Sequence, residues 1–261
     1  MSGATPVSLV CCGLIGTMVT DGGVVDRAYT EAIATQGVVT GTAAYARGMA
    51  QIHQRKGEPA ADILQAVFPD SQARGQAAYL ALDRSISDAI GRIGATPVPG
   101  APAAIEKLAG AGIRVCVITS FSRRVLNLVL NTLGWLDRID LSLCPEDVPR
   151  GSPWPDPVLA AMLRLGVTDV RETAVASDTD SGILSGRRAG AGIAAGVLTG
   201  PHSGDRLRRA GATHLIPSVA QLPDLLVIAG DRAARSAADH PADGSPPDVA
   251  GATASPPAAN S

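Results

Sequence analysis

The sequence predicts an α/β protein, a Rossmann-like doubly wound parallel sheet with an all-helical cap inserted after its first strand. Three observations predict it. Short, continuous apolar runs recur, as expected of strands buried on both faces. Stretches of helical periodicity separate them, the order that builds a parallel sheet covered by helices. Between the first such run and the next, residues 22–94 carry helical patterning and no good strand.

In chain order, the run 7–12 reads as the first strand. Candidate cap helices follow at 25–36, 42–54, 60–67 and 72–93. Residues 102–111 read as a helix stopped by Gly112, and 113–119 as the second strand. In 122–133 the apolar positions Val125, Leu126, Val129, Leu130 and Leu133 fall on one helical face, and Gly134 ends it. A short strand at 141–144, a helix at 157–165 and a strand at 172–176 come next. A helix at 183–189 closed by Gly190, a strand at 193–198 and a strand at 214–216 complete the series. From 230 to 261 the chain turns to Ala, Pro, Asp, Ser and Gly without apolar periodicity, the composition of a disordered tail. The domain reading is a core of 1–21 and 95–229, a cap of 22–94 and a tail of 230–261.

Composition narrows the function. Hydrophobic residues are 46% and aromatics 3%, so Val, Leu, Ile and Ala fill the core. A formal net charge of −2 gives no electrostatic reason for nucleic-acid binding. No apolar stretch is long enough for a membrane span, and the first residues lack the basic region of a signal peptide. A cytoplasmic location, a small-molecule partner and a monomer or homodimer are expected. Cys11, Cys12, Cys116 and Cys144 read as buried, reduced thiols, since no CxxC or matching His spacing marks a metal site. The basic residues are nearly all Arg, with Lys56 and Lys107 the only lysines.

Several segments carry a resemblance. Residues 9–23, LVCCGLIGTMVTDGG, are similar to a strand followed by Asp-x-x-Gly-Thr, matching at Gly16 and Thr17. VCVITSFSR at 115–123 resembles a second strand ending in Thr, and Cys144–Val148 with Gly-x-Pro-x-Pro at 151–155 a third region. AVASDTDSGILSG at 174–186 resembles Gly-Asp-Thr-x-x-Asp. In this order and spacing, the chain resembles the haloacid-dehalogenase (HAD) hydrolase superfamily over about 7–226, and within it the phosphonatase-like branch.

The resemblance implies phosphoryl-transfer chemistry. A first-motif Asp attacks phosphorus, and an acid two positions on serves the leaving group in phosphatases. Mg2+ bridges nucleophile and phosphate, a hydroxyl donates to the phosphate, and a Lys or Arg neutralises it. Here the nucleophile position is Gly13 and the acid/base position Ile15. The hydroxyl is kept as Thr119, followed by Ser120, and the basic position is Ser152. The first fourth-motif Asp is kept as Asp178, and the second is Gly182. The cap lysine of the phosphonatases falls at Gln51, with Lys56 nearby in a different context.

Three readings follow, the last of them a structural relic of the fold with no ligand. In the first, catalysis is dismantled and a phosphate-sized cradle at Gly16, Thr17, Thr119 and Ser120 binds a phosphorylated or acidic metabolite, or the chain acts as a non-catalytic partner, with no cofactor. In the second, a rearranged site with Asp178, Asp180 as a substitute Mg2+ ligand and Arg150 as a substitute cation remains a working Mg2+-dependent phosphatase or phosphonate hydrolase. Cys12 is next to Gly13, but neighbours on a strand point to opposite faces, so it reads as inert. Asp21 reads as a turn residue.

Overall fold

A computed structural model describes residues 6–226 of the chain. The segment read as a disordered tail lies outside the described residues. Six parallel strands form one sheet in the order β3-β2-β1-β4-β5-β6. They are β1 (Leu9–Gly13), β2 (Arg114–Ile118), β3 (Leu141–Leu143), β4 (Thr173–Ser177), β5 (Ile193–Val197) and β6 (His214–Ile216). The order reverses at β1, between β2 and β4, and such a switch point opens a crevice beyond the strands' carboxyl ends.

Side chains alternate across β1 and build a separate core on each face. Val10 and Cys12 join one cluster with α5 (Ala101–Gly110) and α6 (Arg123–Thr132). Leu9 and Cys11 join another with α7 (Asp156–Leu165). On that second side α8 (Asp180–Ala189) and α9 (Gly204–Arg209) pack on β5 through Ile183, Ala194 and Leu207. Gly186 lets α8 lie close on β4, since a Cβ there would meet Val175 Cγ2 at 2.7 Å.

Between β1 and α5 the chain forms α1 (Val24–Ala34), α2 (Ala43–Gln54), α3 (Ala60–Val67) and α4 (Gln72–Ile93). Their buried faces, including Tyr29, Ile33, Ile63, Leu82 and Ile86, belong to the same apolar cluster as Val10, Val117 and Leu126 of the sheet layer. The exit and return strands of this excursion are tied together by Thr20 N–H to Thr96 O and Val98 N–H to Met18 O, both 2.9 Å.

Element boundaries shift where side chains cap. α2 begins at Ala43 because the Thr42 hydroxyl accepts from Tyr45 N–H, and α6 at Arg123 because Ser122 does the same for Val125. α8 starts three residues before the predicted Ile183, since Thr179 caps it by accepting from Gly182 N–H. β1 continues through Gly13 into the crevice. Among the described residues, no helix is long and apolar enough to cross a membrane.

Candidate functional site

The crevice is a cleft of about 100 Å3 at the carboxyl ends of β1, β2 and β4. β1 delivers Gly13, Leu14, Ile15 and Gly16 to it, β2 delivers Thr119 and Ser120, and β4 delivers Asp178. Ser152 closes one side, and Asp21, Val25, Tyr29, Lys56 and Gly57 reach in from the helical excursion. Gly13, Ile15, Gly16, Thr119, Ser120, Ser152 and Asp178, predicted from separate motifs, thus meet in one cleft.

Position 13 is closed by its neighbours. A Cβ on Gly13 would lie 2.7 Å from Thr17 Oγ1 and 3.6 Å from Asp178 Oδ1. The Thr17 hydroxyl instead donates to Asp178 Oδ1 at 2.6 Å and accepts from Asp178 N–H at 3.1 Å. Thr17 is fully buried and Asp178 nearly so. Burial pushes the Asp178 carboxyl up to about 6, against the opposite pull of the Thr17 hydroxyl, its own backbone, His202 and Lys56. Gly16, at φ +93, packs directly on this carboxylate, as does Gly200, and a Cβ on either would overlap it.

Two of the predicted substitutes point elsewhere. Arg150 stacks over the Trp154 ring at 4.5 Å and makes a forked pair with Asp156 at 3.1 and 3.0 Å. With partners for both charge and plane on the surface, it has no reason to turn into the cleft. Asp180 is held by Arg206 Nε at 2.7 Å and lies 3.2 Å from His202 Nδ1. Against burial, which would raise it, these two contacts hold its carboxyl below the usual range. Asp180 opens α8 and does not line the cleft.

Mg2+ does not fit these residues. Asp178 offers one carboxylate, already engaged by Thr17. The second fourth-motif position, Gly182, is covered by Ser177, whose hydroxyl lies where a Cβ would go. Among the described residues no group of three His, Cys, Asp or Glu side chains could hold a metal ion.

Lys56 brings a cation to the cleft from the helical excursion. Gln51 is exposed on α2, whereas Lys56, in the turn between α2 and α3, lines the cleft. Its side chain is 12% exposed and Nζ lies 2.7 Å from Asp26 Oδ1. Although burial works the other way, Lys56 and His53 hold the Asp26 carboxyl below its usual range. The sequence signal was Gly57-Glu58-Pro59 directly after the lysine, a turn that ends one helix and starts the next at the sheet's edge.

The remaining candidates have structural roles. Asp21 Oδ1 accepts from Val25 N–H at 2.8 Å and so secures the start of α1. Cys12 is packed on the α5 and α6 face, where burial, then Cys11, push its thiol far up. It is therefore a poor thiolate. Thr119 accepts from Phe121 N–H at 3.2 Å, leaving its hydroxyl proton free to donate.

The comparisons with known proteins agree with this architecture. A family model described as haloacid dehalogenase-like hydrolase matches residues 8–190. The chain belongs to the haloacid dehalogenase-like hydrolase family. Its relatives lie in the phosphonatase-like branch. The phosphonoacetaldehyde hydrolase of Pseudomonas paraeruginosa is 36% identical over 96 residues, 36% of this chain and 34% of that protein. That of Hahella chejuensis is 30% identical over 152 residues, 49% of this chain and 52% of the relative. The HAD chain thus spans about a third to a half of the length of these relatives. Among solved structures, a hydrolase from Pseudomonas syringae superimposes with a TM-score of 0.74 at 22% identity, covering 85% of this chain and 99% of that one. A phosphonoacetaldehyde hydrolase-like protein from Oleispira antarctica gives 0.74 at 21% identity, covering 90% and 96%. At these identities the structures show the HAD fold.

Proposed function

We propose that this HAD-like chain has lost aspartyl-phosphate chemistry and uses its cleft to bind a small phosphorylated or acidic molecule without turning it over. The observation that carries the reading is Gly13, with no side chain where the family places its nucleophile, and with Thr17 and Asp178 bonded across the space. No carboxylate stands at the nucleophile position, Ile15 cannot move a proton, and Ser152 brings no charge to neutralise a phosphoryl group. Losses of this kind each cost orders of magnitude in rate and do not recover singly. Support for binding comes from what is kept: the Thr119 and Ser120 hydroxyls, together in one cleft.

The test is hydrolysis of an aryl phosphate by the full chain, with and without Mg2+, beside thermal shift with inorganic phosphate and small organic acids. We expect no Mg2+-dependent turnover in the wild type or in Gly13→Asp, whose side chain has to displace Thr17, and a rise in melting temperature with at least one anion. Turnover that needs Mg2+ and disappears in Asp178→Ala overturns the reading in favour of a rearranged phosphatase or phosphonate hydrolase.

A further inference from the structure

Three of the residues lining the cleft carry charge: Asp21, Lys56 and Asp178. Lys56 is the one cation among them. Asp178 sits at the floor, walled in by Gly16 and Gly200. A phosphate dianion entering here meets one ammonium, already shared with Asp26, and two carboxylates. It finds neither a basic side chain at position 152 nor a metal set. A carboxylate presents half the charge to the same carboxylates and needs one counter-ion. Its two oxygens can accept from the Thr119, Ser120 and Ser152 hydroxyls that line the same cleft. Apolar lining comes from Ile15, Val25, Tyr29 and Phe121, while Ser177, Thr179 and Ser185 add hydroxyls elsewhere in the cleft. A volume of about 100 Å3 admits several waters, or a head group with a few carbons.

Lys56 is also held in place. Just after it in the chain, Ala60 N–H donates to Ser120 O at 2.9 Å. Gly57, at φ +92, packs against Thr179, and Pro59 against Gly151. Just before it, Gln54 O accepts from the Arg206 guanidinium. The turn bearing the ammonium is thus fastened to the sheet layer on both sides, so little ordering is required when a ligand arrives.

We infer that the cleft takes a small monocarboxylate with an apolar tail in preference to a phosphate or phosphonate dianion, with Lys56 as its counter-ion. This rests on the binding reading above and narrows it. Calorimetric titration of the full chain at pH 7.5 with butyrate, benzoate, inorganic phosphate and methylphosphonate tests it. The expected result is tighter binding of at least one carboxylate than of either phosphorus acid. Lys56→Met is expected to weaken it about tenfold or more, and Lys56→Arg to retain it within a few-fold. Ser152→Arg, which adds a basic side chain at the cleft, is expected to shift the preference toward phosphate. Phosphate binding as tightly as the carboxylates, or carboxylate affinity unchanged in a folded Lys56→Met, overturns this inference and leaves the binding reading standing. Absence of binding by all four anions overturns both.

Discussion

Burying the Asp178 carboxyl sets a pH dependence on folding. Its pKa is about 6 in the folded chain, above the ordinary 3.8, so the folded state holds the extra proton between those values. Stability from this group is present in full below about pH 4 and is lost as pH rises through 6. The shift corresponds to about 3 kcal/mol, an order of magnitude for a fully enclosed group. Asp26, Asp147 and Asp180, whose carboxyls are lowered, act in the opposite direction as pH falls. The comparison with Asp178→Asn, which can still accept from Thr17, isolates the contribution. In urea denaturation at pH 4, 5, 6 and 7 we expect the stability difference between variant and wild type to move in the variant's favour as pH rises. A difference independent of pH contradicts the burial argument. At this scale the sequence was legible where a motif fixed both identity and direction, as at Gly13, Thr119 and Asp178. Lys56 and Arg150 were not, because a long side chain goes where partners far along the chain, or on the surface, draw it. Asp26 lies thirty positions before Lys56, and Arg150 lies over the Trp154 ring on the surface.

Elements make their strongest statement at the turn joining α2 to α3. Gly57 combines a left-handed backbone with direct contact against Thr179, so both strain and overlap oppose any side chain there. Gly57→Val is expected to destabilise by about 1–3 kcal/mol in thermal melts. Limited proteolysis is expected to cut faster near 54–60 than in the wild type. An unchanged melt and digestion pattern shows that this turn is not fastened as described. The strands were readable because burial on both faces of a parallel sheet leaves a continuous apolar run, as in LVCC and RVCVI. α9 was missed because, within its six residues, only Leu207 is buried, and the rest is Gly, Asp and Arg. One apolar position makes no period. The early start of α8 was signalled by Thr179, a capping residue three positions before Gly182, a sign that weighs little beside the apolar pattern beginning at Ile183.

For the molecule as a whole, one apolar cluster runs from Ile63, Leu82 and Ile86 of the helical excursion to Val117 of β2 and Leu126 of α6. The excursion therefore lacks a core separate from the sheet layer's. A single calorimetric unfolding transition is expected, with the calorimetric enthalpy equal to the van't Hoff value. Two resolved transitions mean that the shared cluster does not couple them. The fold, like the motif order, was open to reading because both are written locally and repeatedly along 7–226. The charge balance of the cleft was not, because it is a sum over Asp21 before α1, Lys56 in the α2–α3 turn and Asp178 after β4, which only the assembled sheet edge brings together.

The bond between Thr17 and Asp178 has one more consequence. Its hydroxyl proton sits on a fully buried side chain, bonded over 2.6 Å to a carboxylate walled by two glycines. Hydrogens so enclosed trade with bulk water only when the structure around them opens. The place left without a nucleophile thus contains a built-in clock, one proton whose lifetime in deuterated solvent times each opening of the cleft floor.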